Sequence, residues 1–274
     1  MNYSYLFVPG DRPERFDRAI ASGAHAIVID LEDAVQPHAK DTARSNIAVW
    51  LKNGGKAVVR INGSDTPWHN DDISLLASPG IRAVMLPKAE DPKTVAAFIS
   101  ALPAPLPVIA LIETARGLWN IENIVGIKGI TQLGFGSVDF QLDTGIEDEN
   151  DGLLYARSQI VLASAMAELA KPLDGVTVDL GNMHRLERDT TRARGLGFGG
   201  KMCIHPSQVQ TVNQGLAPTP ETIAWAERVV NAADKTDIKG AIRLDGKMID
   251  RPVIERARLL LKVEVRAQSF PKPD

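Results

Sequence analysis

Two acidic residues follow apolar runs that have the length and composition of β-strands. Glu113 comes directly after Pro107–Ile112, and Asp139 comes shortly after Gln132–Gly136. In a parallel α/β barrel the carboxyl ends of all strands open onto one face, so acidic residues that leave different strands converge there. Two converging carboxylates, with room for water and a substrate oxygen, favour a hard cation such as Mg²⁺. The sequence therefore predicts a magnesium site formed by Glu113 and Asp139.

Polar residues also stand at the ends of other apolar runs. A strand-end carboxylate can instead cap the next helix, and for Glu113 or Asp139 alone the two roles are balanced. Their occurrence together with an arginine favours metal binding. The further strand-end residues are Asp30, Glu32 and Asp33 after Ala26–Ile29, Arg60 after Ala57–Val59, Lys88 after Ala83–Pro87, and His205 after Lys201–Ile204.

The roles of these flanking residues follow from their chemistry. Glu32 and Asp33 are interpreted as groups that orient metal-bound water or Arg60. For Asp30, a structural role with hydrogen bonds into barrel loops and a catalytic role are weighed equally. His205 is interpreted as a positioning residue that satisfies backbone groups rather than as a base.

Composition restricts the classes of protein to which the chain can belong. Its 274 residues, 44% of them hydrophobic, suit one barrel of roughly 250 residues with a short appendage. A formal net charge of -3 and the lack of a basic stripe argue against nucleic-acid binding. The single cysteine, Cys203, excludes an intrachain disulfide, and no apolar stretch has the length of a membrane span. We expect a cytoplasmic protein without a nucleic-acid or membrane partner.

Short β-rich runs alternate with segments of helical period, which is typical of repeated βα units. This alternation predicts an α/β fold, a (β/α)₈ TIM barrel. Strands are predicted near residues 4–8, 26–29, 57–61, 83–86, 108–112, 132–135, 175–178 and 201–204, and helices over 13–22, 40–51, 92–101, 153–169, 185–194 and 220–233, with weaker helical patterns over 71–76 and 118–125.

The pattern changes near residue 234. Residues 235–246 are predicted to form a linker and turn, followed by a basic amphipathic helix over about residues 253–267. This tail has no strand partner in an eight-unit barrel. We therefore predict a TIM-barrel catalytic domain over residues 1–234 and a C-terminal helical lid or oligomerisation extension over residues 235–274.

Seven motifs occur in order along nearly the whole chain, and together they are more specific than any one of them. They are Leu6-Phe-Val-Pro-Gly10, Asp30-Leu-Glu-Asp-Ala-Val35, Arg60-Ile-Asn62, Leu86-Pro-Lys88, Ile112-Glu-Thr114, Gly136-Ser-Val-Asp139 and Gly200-Lys-Met-Cys-Ile-His-Pro206. The set resembles the citrate lyase β-subunit/malyl-CoA lyase family. That resemblance implies a Mg²⁺-dependent (β/α)₈ barrel that breaks or forms a carbon–carbon bond β to a CoA or acyl-carrier thioester.

The resemblance also implies roles for particular residues. Glu113 and Asp139 would bind the metal, and Arg60 would bind the carboxylate of a 2-oxo acid. Retro-aldol cleavage needs such parts, because Mg²⁺ serves as a Lewis acid for the developing carbonyl. A guanidinium grips a carboxylate through a bidentate fork that lysine lacks.

Four further residues are candidates for contact with the substrate. Gly136 is assigned to substrate binding, and Arg12 and Lys88 are assigned either to CoA phosphates or to solvated positions at the barrel mouth. The tail segment Asp245-Gly-Lys-Met-Ile-Asp250 resembles a lid motif in which an aspartate reaches the site of a neighbouring subunit. Asp250 matches that aspartate and is predicted to be the catalytic base for the acetyl carbon.

These expectations combine into one predicted function. The chain is predicted to cleave a citryl-, malyl- or citramalyl-like CoA thioester to acetyl-CoA, or a close analogue, and a 2-oxo acid, as a trimer or hexamer. Two alternatives remain open. One is hydrolysis of the CoA thioester on the same scaffold, and the other is a non-autonomous role as the β component of a citrate lyase-type complex.

Overall fold

Eight short strands pair in parallel and in sequence order, and the last also pairs with the first, which closes the barrel. The computed structural model describes residues 2–235 and 242–268. Leu6 of the first strand has partners on both sides, Ile27 in the second strand and Cys203 in the eighth. The strands are β1 (Ser4–Pro9), β2 (Ala26–Asp30), β3 (Ala57–Arg60), β4 (Ile81–Leu86), β5 (Val108–Ile112), β6 (Ile130–Phe135), β7 (Ala170–Asp174) and β8 (Gly200–Cys203).

Helices cover the outside of this barrel, as its predicted βα rhythm requires. Asp91 starts one of them by accepting a 2.9 Å hydrogen bond from the Thr94 amide, with Pro92 at the first helical position. The barrel helices are α1 (Phe16–Ala21), α2 (Lys40–Lys52), α3 (His69–Leu75), α4 (Pro92–Ala101), α5 (Ala115–Trp119), α6 (Ile121–Val125), α7 (Ser137–Thr144), α8 (Leu154–Met166), α9 (Met183–Leu196) and α10 (Val209–Leu216). The predicted TIM barrel is confirmed.

The seventh strand was predicted in the wrong place. It spans Ala170–Asp174 rather than residues 175–178, and helix α8 ends at Met166 rather than at residue 169. Pro172 explains the difference, because proline is ordinarily avoided inside a central strand and so masks the strand pattern. The β6–β7 register is irregular beside it. The Pro172 carbonyl accepts from Gly199 on the β8 side. Residues 175–178 lie past the strand, toward the open end of the barrel.

Inward-facing apolar side chains fill the barrel interior, as they do in other barrels of this class. Phe7, Val176 and Met202 lie in the layer of this interior that borders the carboxyl ends of the strands. The buried cluster consists of Tyr5, Val28, Val58, Ala83, Met85, Ile109, Leu111, Leu173 and Met202.

The described residues from Ala217 onward form a second compact unit, and residues 2–216 form the first. The division comes before helix α11 (Pro220–Lys235), whereas the predicted boundary was residue 234. The unit also contains strands β9 (Ile242–Leu244) and β10 (Lys247–Ile249), which form an antiparallel hairpin, and helix α12 (Arg251–Gln268). Its own small core holds Ala226, Val229, Ile249 and Ala257, all buried.

The predicted helix of the tail is therefore present as α12. Part of the predicted linker, residues 236–241, lies outside the described residues. None of the helices within the described part of the chain combines the length and apolarity that a bilayer crossing requires.

Candidate active site

A cavity of about 340 Å³ opens at the carboxyl ends of the barrel strands. It brings together residues that are more than 100 positions apart in sequence, including Asp30 and Asp139. The predicted site residues that line it are Asp30, Asp33, Arg60, Glu113, Gly136 and Asp139, and the other lining residues are Phe7, Ala34, Leu111, Phe135, Ser137, Val138, Val176, Met202 and Ile204.

Glu113 is fixed in this cavity by the backbone of two neighbouring strand ends. Its side chain is buried, and its Oε1 accepts a 2.6 Å hydrogen bond from the Lys88 amide. Lys88 adopts φ +46°, a left-handed conformation that costs a non-glycine residue roughly 1–3 kcal/mol. On the other side, a Cβ at Gly136 would lie 2.5 Å from Oε2 of Glu113. The position of the Glu113 carboxylate therefore requires a glycine at residue 136 and a backbone amide of residue 88 that points toward it.

Asp139 lies in the first turn of α7, which begins immediately after β6. Gly136 is the N-cap residue of this helix, so no side chain caps its first amide groups. Burial, followed by the negative charge of Asp33, raises the pKa of Asp139. Asp139 and Glu113 therefore face one cavity from adjacent strands, β6 and β5.

Arg60, at the end of β3, makes its closest contacts with acidic residues of the β2 end. Its Nε and Nη2 each bond an oxygen of Asp30 at 2.7 Å, and its Nη1 lies 2.8 Å from Oε2 of Glu32. The guanidinium also stacks over Phe7, 4.9 Å from the ring centroid. Of the five N–H groups on an arginine, two donate hydrogen bonds to Asp30, and Glu32 forms an ion pair with Nη1 without a hydrogen bond of suitable geometry. Asp30 thus occupies the Nε/Nη2 edge of the guanidinium.

The site contains more acidic than basic side chains, and their pKa values are shifted. Burial raises the pKa of Glu32 to about 8 and that of Glu113 to about 7. For Asp30, the Arg60 guanidinium outweighs the effect of burial and holds the pKa below its usual value. Oε2 of Glu32 is buried and, despite its proximity to Arg60, has no hydrogen-bond donor in suitable geometry.

These residues fit a divalent cation. The donors are carboxylate oxygens, which hard cations prefer, and a bound cation would favour the ionised forms that burial now disfavours. Within the described residues, no group of three His, Cys, Asp or Glu side chains is arranged as a complete metal cage. Mg²⁺ typically takes one or two protein carboxylates and fills its other positions with water and substrate, so Glu113 and Asp139 would be enough protein ligands for it.

Residues 3–206 match the family model described as HpcH/HpaI aldolase/citrate lyase. The chain belongs to this family. The citrate lyase subunit beta-like protein of Deinococcus radiodurans is 35% identical over 278 residues, covering 95% of this chain and 96% of the relative. A (3S)-malyl-CoA thioesterase of Cereibacter sphaeroides is 30% identical over 265 residues, covering 94% and 93%.

The family likeness extends to solved structures. The crystal structure of CitE from Mycobacterium tuberculosis in complex with magnesium, acetoacetate and coenzyme A superposes with a TM-score of 0.82 at 34% identity, covering 95% of this chain and 97% of that one. The resemblance predicted from seven sequence motifs is confirmed.

Lys40 is a buried residue of this HpcH/HpaI barrel whose role the sequence did not indicate. Its ammonium donates to the carbonyls of Leu31 and Glu32, at 2.6 and 2.7 Å, and to the Asn62 side chain at 2.7 Å. It thereby holds the β2–α2 loop that carries the acidic residues. A lysine at the start of a helix is ordinarily interpreted as solvent-exposed, so only the fold reveals this contact.

Other predicted residues lie outside the cavity lining of this family member. Arg12 is largely exposed beside Asp11, and the Lys88 side chain is exposed although its amide holds Glu113. His205 is exposed and accepts from the Ser207 amide at 3.2 Å, which agrees with the predicted positioning role. Asp250 belongs to the second compact unit, where it accepts from the Val253 amide at the start of α12.

Proposed function

We propose that this chain is a Mg²⁺-dependent carbon–carbon lyase that cleaves a 3-hydroxyacyl-CoA thioester to acetyl-CoA, or a close analogue, and a 2-oxo acid. The observation that carries the proposal is the convergence of Glu113 and Asp139, from adjacent strands, beside Arg60 in one cavity. The family supports it, since its description covers aldolases and citrate lyase. The CitE relative was crystallised with magnesium and coenzyme A, which supports the same cofactor and substrate class for this chain.

Glu113 and Asp139 would hold the metal, and Glu32 and Asp33 would orient water around it. Mg²⁺ bound there supplies Lewis-acid stabilisation of the oxygen on the carbon that becomes the carbonyl. Arg60 has three N–H groups that do not donate to Asp30, and the pair on its Nη1/Nη2 edge would bind one substrate carboxylate.

In the cleavage direction, the substrate hydroxyl passes its proton to water, and the bond between its carbon and the thioester α-carbon breaks. The electron pair of that bond passes into the thioester enolate, which takes a proton at carbon from Asp250. In the condensation direction Asp250 removes that proton as a base. We propose that Asp250 acts on the site of a neighbouring subunit in a homo-oligomer, a trimer or hexamer.

Thioester hydrolysis is the second candidate, favoured by the similarity to a (3S)-malyl-CoA thioesterase. In that reaction water attacks the thioester carbonyl, and the carbon chain stays intact. The third reading, a β component of a larger complex, is favoured by the similarity to a citrate lyase subunit beta-like protein.

One experiment separates the three. Purified protein with Mg²⁺ is incubated with malyl-, citramalyl- and citryl-CoA, and products are identified by mass spectrometry. A 2-oxo acid with acetyl-CoA supports the lyase, and free CoA with an uncleaved acid supports the hydrolase. No turnover of any ester contradicts both enzymatic readings and favours the complex component. Glu113→Ala and Asp139→Ala serve as matched controls, expected to lose Mg²⁺ binding and turnover while retaining the thermal unfolding transition.

A further inference from the structure

The lining of the barrel cavity combines acidic side chains, apolar side chains and a cation. Four lining side chains are carboxylic acids, and Arg60 is the one cation in the lining formed by the described residues. Most of the remaining lining is apolar and includes Phe7, Leu111, Val176 and Met202. A ligand group inside this cavity therefore meets hydrocarbon, carboxylate or a single guanidinium.

The guanidinium is already surrounded by acids. Asp30 takes its Nε and one Nη2 hydrogen, Glu32 approaches Nη1 at 2.8 Å, and Asp33 lies 3.7 Å from Nη1. The three N–H groups that remain lie on Nη1 and Nη2, an edge that can bind one carboxylate. The buried cations near the lining are committed to other groups: Lys40 to two carbonyls and Asn62, Lys201 to the Gly175 carbonyl, and Arg157 to Asp174 and the Glu149 carbonyl. Among the described residues, the cavity lining thus offers one cation to a substrate carboxylate and none to a second.

A second carboxylate would also be repelled. With Glu113, Asp139, Asp33 and Asp30 in the lining, the acids outnumber the one cation, and a divalent cation offsets only part of the excess. Like charges at close range in a partly buried site interact strongly because little water screens them. A small apolar substituent, by contrast, is favoured by contact with Leu111, Val176 or Met202.

We infer that the barrel selects 2-oxo acids that carry a single carboxylate and a small apolar substituent over those that carry a second carboxylate. The inference rests on the proposed lyase function and narrows its substrate to a 3-hydroxyacyl thioester whose oxo-acid half is a monocarboxylate. Val176 and Ile204 are the specificity-determining positions best suited to a test, because both line the cavity and neither is fully buried.

The test measures oxo-acid binding by calorimetry on the Mg²⁺-loaded full-length protein, independently of turnover. The probes are pyruvate, oxaloacetate and 4-methyl-2-oxopentanoate, whose isopropyl group replaces the distal carboxylate of oxaloacetate at similar size. Oxaloacetate is expected to bind at least tenfold more weakly than pyruvate, and also more weakly than its apolar isostere. Equal affinity for oxaloacetate and pyruvate would overturn the inference.

Two variants test whether charge is the cause. Ile204→Lys and Val176→Lys each add a cation to the lining and should improve oxaloacetate binding relative to pyruvate by at least tenfold, whereas Val176→Leu should not. An unchanged ratio in both correctly folded lysine variants would show that the charge of the lining does not set the preference.

Product analysis with citramalyl- and citryl-CoA keeps this inference separate from the proposed function. Selective oxo-acid binding without cleavage of either ester would remove the lyase assignment and leave the selectivity standing. Cleavage of both esters with equal kcat/KM would support the lyase and remove the selectivity.

Discussion

Glu32 provides the sharpest quantitative test of the site's electrostatics. Its pKa is about 8 in the folded protein against 4.5 for a free side chain, mainly because of burial. A carboxyl whose pKa is raised on folding contributes stability that is complete below its unfolded pKa and is lost as the pH rises through the folded value. Each pH unit in this interval corresponds to about 1.4 kcal/mol.

Replacing Glu32 by glutamine removes this titration while keeping the shape of the side chain. Without metal, the free energy of unfolding of the variant should equal that of the parent near pH 5 and exceed it by about 3–5 kcal/mol near pH 8. This range follows from about 1.4 kcal/mol for each pH unit between the two values. Urea unfolding in EDTA at half-unit pH steps measures the difference. Mg²⁺ should reduce the gap, because the cation favours the ionised parent.

Asp33→Asn is the matched control, because this neighbouring carboxylate has a 70% exposed side chain. Near pH 8 its free energy of unfolding should differ from the parent's by much less than that of Glu32→Gln, because the charge of Asp33 acts on the buried carboxyl groups from the surface. A Glu32→Gln variant whose advantage does not grow with pH would refute the view that Glu32 is buried at an electrostatic cost.

Three further predictions concern the geometry of the site. Gly136→Ala should weaken Mg²⁺ binding at least tenfold in calorimetry although Glu113 is retained, because the new Cβ would lie 2.5 Å from that carboxylate; Gly195→Ala, where nothing lies within 4 Å, should not. Arg60→Lys should weaken binding of a 2-oxo acid by about 1–3 kcal/mol, the range for a charged hydrogen bond, and unchanged affinity would rule out a carboxylate contact. Asp250→Asn should suppress turnover and α-proton exchange of acetyl-CoA but spare Mg²⁺ binding. Mixed oligomers of this variant with Glu113→Ala should regain partial activity, and no recovery after verified subunit exchange would exclude action in trans.

The convergence of the site could be predicted from sequence because it depends on topology alone. Once the strands are parallel and in order, residues that follow them must share one end of the barrel, whatever their separation in sequence. Glu113, Asp139 and Arg60 line one cavity for this reason. Strand β7 was misplaced because the β-branched segment after it is the better local match, whereas Pro172 inside it is ordinarily avoided.

What surrounds each functional group could not be predicted in the same way. The commitment of Arg60 to Asp30, the amide of Lys88 on Glu113, and the carbonyls around Lys40 depend on the relative rotation of adjacent strands and on loop backbone angles. A single sequence records side-chain types and spacing but not these angles. The positive φ of Lys88 is the clearest case, since a lysine gives no local signal for it.

Closure of the barrel between its first and last strands also has a consequence for the protein while it is being made. Ser4 of β1 pairs with Lys201 of β8, so one edge of β1 has no partner until nearly 200 further residues have been added. At about 5–20 residues per second, a ribosome needs roughly 10–40 s for that stretch. During this interval the nascent chain carries an open strand edge, which other chains can join. The fraction of protein lost to aggregation during expression should therefore depend on translation speed and chaperone supply rather than on the stability of the folded barrel.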